Sequence, residues 1–407
     1  MKKYKIVKNV RSGKVFEEKS EEDTVGITET KIVKLFEDGL ELESGEILPG
    51  PIDVAYETYG VLDESKDNVV LVCHALSGSA HAAGYMREIE EGVLDGNTEG
   101  WWEDIIGPNK GIDTKKYFVI CSNFLGSCYG TTGPTSINPK TGEIYGLSFP
   151  VITIGDMVKV QMELMKYLGF SKILAVVGGS MGGMQALEWS LMYPDVVSSA
   201  VIIAATAKCS AQNIAFDNVG RNAITSDPNW HQGNYLKNGT FPSKGLSIAR
   251  MIGHITYLSS ESMDRKFGRR FINQKTYDVD EFDFEVESYL GYQGEKFVKR
   301  FDANSYLYIT KAMDYFDLPQ KYGDGDLKKA FKRSKSKYLF ISFSSDWLFP
   351  PSESIEMVSA LVSINKDVSY VNIDSIHGHD SFLVDTVIES QVVKAFIDSV
   401  YNEIKVM

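Results

Sequence analysis

Four short, almost wholly apolar runs constrain the fold of this 407-residue chain more than any other feature. Residues 69–74 (VVLVCH), 117–122 (YFVICS), 173–177 (ILAVV) and 200–205 (AVIIAA) show little alternation of polar and apolar positions. A strand with one wet face alternates, whereas a strand covered on both faces does not. The pattern therefore predicts a mostly parallel sheet with helices packed on either side. The intervening segments agree. Residues 153–169 carry Met157, Val160, Leu164 and Leu168 at helical spacing, with Thr153 placed to cap the first turn, Asp156 within it and Gly169 at the end. Alternating strands and helices make the expected fold class α/β.

The middle of the chain departs from this rhythm. From about residue 208 to 332 the strand signal fades, and amphipathic stretches such as 245–258 and 305–315 dominate. Strand patterns return at 338–343 (YLFISF) and 368–373 (VSYVNI), and a last helix follows near 389–404. A sheet interrupted and then resumed predicts one domain built from residues 25–207 and 333–407, with residues 208–332 inserted as a helical lid. Residues 1–24 are rich in Lys, Glu and Asp and lack a sustained apolar period, so they are expected to form a flexible N-terminal tail.

Charge and composition exclude several classes. A net charge of -13 opposes general binding to nucleic acid or to an anionic membrane, both of which call for a basic surface. A few local cations could still hold an anionic small molecule. No apolar stretch approaches the roughly 20 residues needed to cross a bilayer, and no apolar segment of a secretory leader follows the Lys-rich start. Cys73, Cys121, Cys128 and Cys209 form no CxxC pair, and Cys73 and Cys121 fall in apolar runs as small core residues. That usage fits a reducing cytoplasm. No histidine or carboxylate spacing of the H-E-x-x-H kind points to a metal, so none is expected.

The chemistry concentrates in Gly178-Gly179-Ser180-Met181-Gly182-Gly183, directly after ILAVV and ahead of a helical stretch ending before Pro194. A G-x-S-x-G between strand and helix raises a serine hydroxyl on a sharp turn, with glycines where another backbone passes close by. The helix start adds free N–H groups and a positive dipole end. A glycine-rich turn that merely packs tightly, or cradles a phosphate, carries the same letters; the strand before and helix after favour a nucleophile.

A serine hydroxyl needs a base, and the base needs an orienting group. Asp346, in Ser344-Ser345-Asp346-Trp347 just past YLFISF, stands where a carboxylate at a strand's C-terminal end can meet a histidine. The base falls in Ile376-His377-Gly378-His379-Asp380, and spacing alone does not choose between His377 and His379. His74 and His81 precede the serine, and His231 and His254 lie in the insertion. For an oxyanion hole, one N–H should come from Met181. The other should come from the loop His74-Ala75-Leu76-Ser77-Gly78, with Leu76 the candidate and Ser77 an alternative.

Nine strings carry a wider resemblance: CHALSGSAHAAG, GWWEDIIGPNKGIDTKKYFVICSN, TTGPTSINP, VGGSMGGMQALEW, FDNVGRNAI, ARMIGHITYLS, YQGEKFVKRFDANSYLYIT, SFSSDWLFPP and GHDSFL. From about Gly26 to the C-terminus the chain resembles the homoserine O-acyltransferases of the α/β-hydrolase superfamily, and in particular their acetyltransferase branch. The resemblance implies an α/β-hydrolase fold and transfer of an acyl group from acyl-CoA to L-homoserine, a step toward methionine. The route it implies is ping-pong, through an acyl-serine, with acetyl-CoA as co-substrate and no bound cofactor. It implies Ser180 as nucleophile, Asp346 as acid and His379, in preference to His377, as base. It further implies Arg221 at the substrate carboxylate, Asp380 near the substrate amine, and a homodimer formed through the lid helices. The N-terminal tail is longer than usual for the family, and the chain ends too soon for the C-terminal regulatory module of some relatives. Rival readings are a succinyl donor or serine acceptor, an esterase or thioesterase with the same triad, and a catalytically silent binding module.

Overall fold

The computed structural model describes residues 2–10, 13–273 and 282–406. Its centre is an eight-stranded sheet. In chain order its strands are β3 (Lys31–Leu35), β4 (Ile52–Tyr59), β5 (Val69–Cys73), β8 (Phe118–Ser122), β9 (Ile173–Gly179), β10 (Val197–Ile203), β11 (Lys337–Phe343) and β12 (Val368–Ile373). Their order across the sheet is β12-β11-β10-β9-β5-β8-β4-β3. The pairs from β12 to β8 are all parallel, and β4 and β3 are added antiparallel at one edge. Every residue of β5 and β9 is buried, which is why these strands read as unbroken apolar runs. The two faces of the sheet belong to two hydrophobic clusters. One holds Leu71, Val176 and Ile202, the other Val70, Val177 and Val201. This is the alternation of a strand buried on both sides.

Helices α1 (Ile154–Tyr167) and α2 (Met181–Met192) pack against each other, and α2 lies against β9 and β10. Thr153 and Asp156 form a reciprocal capping box at the start of α1, and Gly169 follows its end with φ +83. Between β10 and β11 the described residues form α3 (Ala211–Thr225), α4 (Ser243–Tyr257), α5 (Ser260–Lys266), α6 (Glu285–Val298), α7 (Ala303–Asp314), α8 (Leu318–Gly323) and α9 (Leu327–Phe331). Of the expected insertion, residues 274–281 lie outside the described residues. Helices α10 (Pro351–Ser363), α11 (Ser381–Val384) and α12 (Thr386–Val406) complete the chain.

The expectation of a flexible N-terminal tail is corrected. Residues Lys3–Val10 (β1) and Gly13–Ser20 (β2) form an antiparallel hairpin, with Arg11 and Ser12 outside the described residues. The hairpin joins β6 (Glu88–Glu90) and β7 (Val93–Asp95) in a four-stranded sheet of order β2-β1-β7-β6. A single side chain does much of the anchoring: Ile6 is fully buried against Tyr85 and Leu94. Lys8 and Lys19 both reach Glu99. A ribbon that buries so few residues has no sustained apolar period, and its lysines and glutamates read as solvated chain.

Candidate active site

Strand β9 runs into Ser180, and α2 starts at Met181. Ser180 has φ 58 and ψ -126, a strained backbone for a side chain with a Cβ. The Ser180 N–H donates to Ile203 O at 2.9 Å, which ties the turn to the neighbouring strand. The turn closes only because glycines flank it. A Cβ on Gly178 would stand 2.2 Å from Gly182 O, and one on Gly182 would stand 2.0 Å from Cys73 O.

The relay is assembled from three strand ends. His379 Nε2 lies 2.9 Å from Ser180 Oγ, and His379 Nδ1 lies 2.8 Å from Asp346 Oδ2. The other Asp346 oxygen accepts from the Leu348 and Phe349 N–H groups, each at 3.0 Å, so the carboxylate is held at both ends. His379 sits on a short turn, Gly378–Asp380, between the rings of Phe349 and Phe382. Gly378 has φ +73, and a Cβ there would meet Ser259 N at 2.5 Å, so the turn packs tightly against the backbone between α4 and α5. Burial by itself would lower the His379 pKa. The Asp346 charge and hydrogen bond outweigh it, and the net shift is upward. His377, the competitor, is partly exposed and lies 3.7 Å from Asp385, away from the relay.

Leu76 and Ser180 line one narrow cavity of about 50 Å³, whose other walls include Asp217, Tyr257 and Tyr306. Among the described residues, neither the Leu76 nor the Met181 N–H donates to a protein acceptor. The loop carrying Leu76 is tied down at its start: His74 Nε2 contacts Asn123 Oδ1 at 3.0 Å, and Gln185 Nε2 donates to His74 O at 3.1 Å. Burial lowers the His74 pKa to about 4, so that ring is neutral and structural. A wider cavity of about 430 Å³ adjoins on the side of Ser77, Trp101 and Phe382, with Arg250, Lys296 and Arg300 in its wall. Arg250 is set over Phe297 at 4.7 Å, and Arg300 donates to Ser77 O at 2.9 Å. By contrast, Arg270 is half-exposed and paired with Glu285.

Arg221 is buried on α3 and its Nη2 donates to Asp314 Oδ2 of α7 at 2.6 Å. It stands one turn beyond Asp217 and is not itself among the residues lining the Ser180 cavity. Asp380 follows the histidine. Burial raises its carboxyl pKa, against the opposing charges of His379, Arg250 and Lys266. Sequence reasoning overlooked Asp217 and Asp314. The signal for Asp217 was its i, i+4 spacing from Arg221 on a helix, whereas Asp314 is brought in by packing of α7 on α3. Among the described residues no group of three or more His, Cys, Asp or Glu could hold a metal ion, and no helix is long and apolar enough to cross a membrane.

A serine on a strained strand-to-helix turn, a buried histidine and a doubly held carboxylate can carry out acyl transfer through a covalent serine ester. Residues 68–386 match the family model described as alpha/beta hydrolase fold. The chain is 53% identical to a homoserine O-acetyltransferase of Deferribacter desulfuricans, over 94% of this chain and 99% of that one. It is 51% identical to a homoserine O-succinyltransferase of Acidithiobacillus ferrooxidans, over 94% and 98%. The crystal structure of a homoserine O-acetyltransferase from Bacillus anthracis superposes with a TM-score of 0.84 at 31% identity, covering 91% of this chain and 98% of that one. The chain belongs to the α/β-hydrolase family and, within it, to the homoserine O-acyltransferases.

Proposed function

We propose that the protein transfers the acetyl group of acetyl-CoA to the side-chain hydroxyl of L-homoserine, a step toward methionine. The observation that carries acyl transfer is the continuous chain of contacts from Ser180 Oγ through His379 to Asp346, opening on a narrow cavity under the lid. The near-full-length likeness to homoserine acyltransferases supports the acceptor.

His379 takes the Ser180 proton as Oγ attacks the thioester carbonyl. The Met181 and Leu76 N–H groups receive the developing oxyanion. The C–S bond breaks, and His379 passes the proton to the departing CoA thiolate. Homoserine then enters, His379 deprotonates its hydroxyl, and that oxygen attacks the acetyl-serine carbonyl. Collapse of this second intermediate returns the proton to Ser180 and releases O-acetylhomoserine. Asp346 keeps the Nδ1–H tautomer facing it throughout and stabilises the imidazolium. Arg221 meets the acceptor carboxylate and Asp380 lies near the amine. Arg250, Lys296 and Arg300, in the wall of the wider cavity, take the CoA phosphates.

The acetyl donor follows the acetyltransferase relatives, 53% identical in Deferribacter desulfuricans against 51% for the succinyltransferase. The enzyme works as a cytoplasmic homodimer joined through its lid helices, consistent with the exposed Ile248 and Ile255 on α4. The test follows thiol release from acetyl-CoA and from succinyl-CoA, with and without L-homoserine or L-serine. Sustained release from acetyl-CoA only when homoserine is present supports the reading. Release indifferent to acceptor makes the protein a thioesterase, and preference for succinyl-CoA or serine reassigns the substrates.

A further inference from the structure

Three buried polar atoms that lack a hydrogen-bond partner while both acids are charged are gathered beside the Ser180 cavity: Asp217 Oδ2, Asp314 Oδ1 and Arg221 Nη1, with the Asp217 and Asp314 carboxyls within reach of one another. They belong to one cluster. Asp217 and Arg221 are one turn apart on α3 and share a face. Asp314 closes the cluster from α7 through its 2.6 Å bond to Arg221 Nη2. The Arg221 and Asp314 side chains are only 9% and 6% exposed, and Asp217 lines the cavity itself. Buried polar atoms in a native protein normally have partners, and unpaired ones call for an explanation. Two carboxylate oxygens and one guanidinium N–H are the complement of a zwitterion, which offers ammonium hydrogens and a carboxylate.

Electrostatics points the same way. Arg221 is already matched by Asp314, so Asp217 is the second acid of a cluster with one guanidinium. The other charged or titratable groups facing it are few. Lys311 on α7 lies 3.7 Å from Asp314, Tyr257 on α4 and Tyr306 on α7 feel the Asp217 charge, and Cys209 feels both acids. Burial, and then Asp314, push the Asp217 carboxyl up to about 8 against the pull of Arg221. Without an acceptor molecule the Asp217 carboxyl therefore holds a proton at neutral pH, and an arriving cation would displace it.

We propose that Asp217, backed by Asp314, is the residue that takes the α-ammonium of the amino-acid acceptor, next to the free Nη1 of Arg221, which takes its carboxylate. This rests on the acceptor being an amino acid, as argued above. It makes Asp217 a specificity determinant: acceptors are chosen by their ammonium at the α3–α7 wall as well as beside the histidine, where Asp380 stands.

The test compares wild type, Asp217→Asn and Asp217→Leu with three acceptors: L-homoserine, 4-hydroxybutanoate, which lacks the ammonium, and 3-aminopropan-1-ol, which lacks the carboxylate. Losing a hydrogen bond to a charged group should raise KM for homoserine and for the amino alcohol about 10- to 100-fold in Asp217→Asn. KM for 4-hydroxybutanoate should stay within about twofold, as should the burst of thiol from acetyl-CoA, which reports an intact fold and first half-reaction. Calorimetry of homoserine binding to Ser180→Ala at pH 7, in buffers of different ionisation enthalpy, should show release of about one proton per acceptor bound. That release should vanish in the Ser180→Ala, Asp217→Asn double variant. An equal penalty for all three acceptors, an unchanged KM for homoserine, or proton release that survives Asp217→Asn overturns the proposal. Failure of wild type to use homoserine despite a normal thiol burst overturns the functional reading itself, and this proposal with it.

Discussion

Replacing Asp346 with asparagine tests the relay with almost no change of shape. In the native site one oxygen accepts from His379 Nδ1 at 2.8 Å, and the other accepts from the Leu348 and Phe349 N–H groups at 3.0 Å. An asparagine has one acceptor to share between these two ends. The two backbone donors are fixed by the turn into α10 and claim the carbonyl oxygen, which turns the side-chain NH2 toward Nδ1. A donor there can be met only if Nδ1 gives up its hydrogen, so the imidazole adopts the other tautomer. Nε2 then carries a proton and cannot accept one from Ser180 Oγ. The expected loss in the rate of acyl-serine formation is about 10⁴-fold, the scale seen when the corresponding change forces the wrong tautomer in a serine triad. That is roughly 5.5 kcal/mol of barrier. Stability should change little, since both backbone donors keep a partner. The assay is rapid-mixing thiol release from acetyl-CoA, with thermal unfolding run in parallel. A loss under about tenfold in a folded variant would refute the tautomer argument. Asp346→Ala should behave differently, leaving two buried N–H groups unpaired at about 1–3 kcal/mol each.

Other expectations concern neighbouring parts of the same machinery. Ser180→Ala should form no acyl-enzyme, detectable by mass spectrometry after mixing with acetyl-CoA, and residual turnover above about 1% would contradict a covalent route. Because His379 must be neutral to act as base and its pKa is raised by Asp346, the rate of the first half-reaction should fall as pH drops through a value above the ordinary 6.5 or so; an acid limb at or below that value contradicts the assignment. Gly182→Ala would drive a methyl into Cys73 O, so denaturant unfolding should show a loss of about 1–3 kcal/mol with the burst impaired. Arg221→Ala should weaken homoserine use while sparing the thiol burst, and equal damage to both half-reactions would mean that breaking its pair with Asp314 had disturbed the lid.

What the sequence determined by itself was whatever depends on local pattern. Strands such as β5 and β9 are buried on both faces, so their burial is written as consecutive apolar residues. The turn at Ser180 needs glycines on either side, and the capping box of α1 is spelled by Thr153 and Asp156. These signals lie within a few residues of what they describe. Three matters were decided only in the tertiary structure. His377 and His379 are two residues apart and equivalent on spacing, and the geometry of the Gly378–Asp380 turn carries one to Ser180 and leaves the other near Asp385. The N-terminal hairpin gave no periodic signal because its hold comes from Ile6 entering a pocket made by Tyr85 and Leu94, about 80 residues away. The cluster of Asp217, Arg221 and Asp314 forms where α7 packs on α3, bringing a buried carboxylate about 93 residues along the chain against a guanidinium. Pairings of that kind depend on where two helices come to rest, and no short stretch of residues records it.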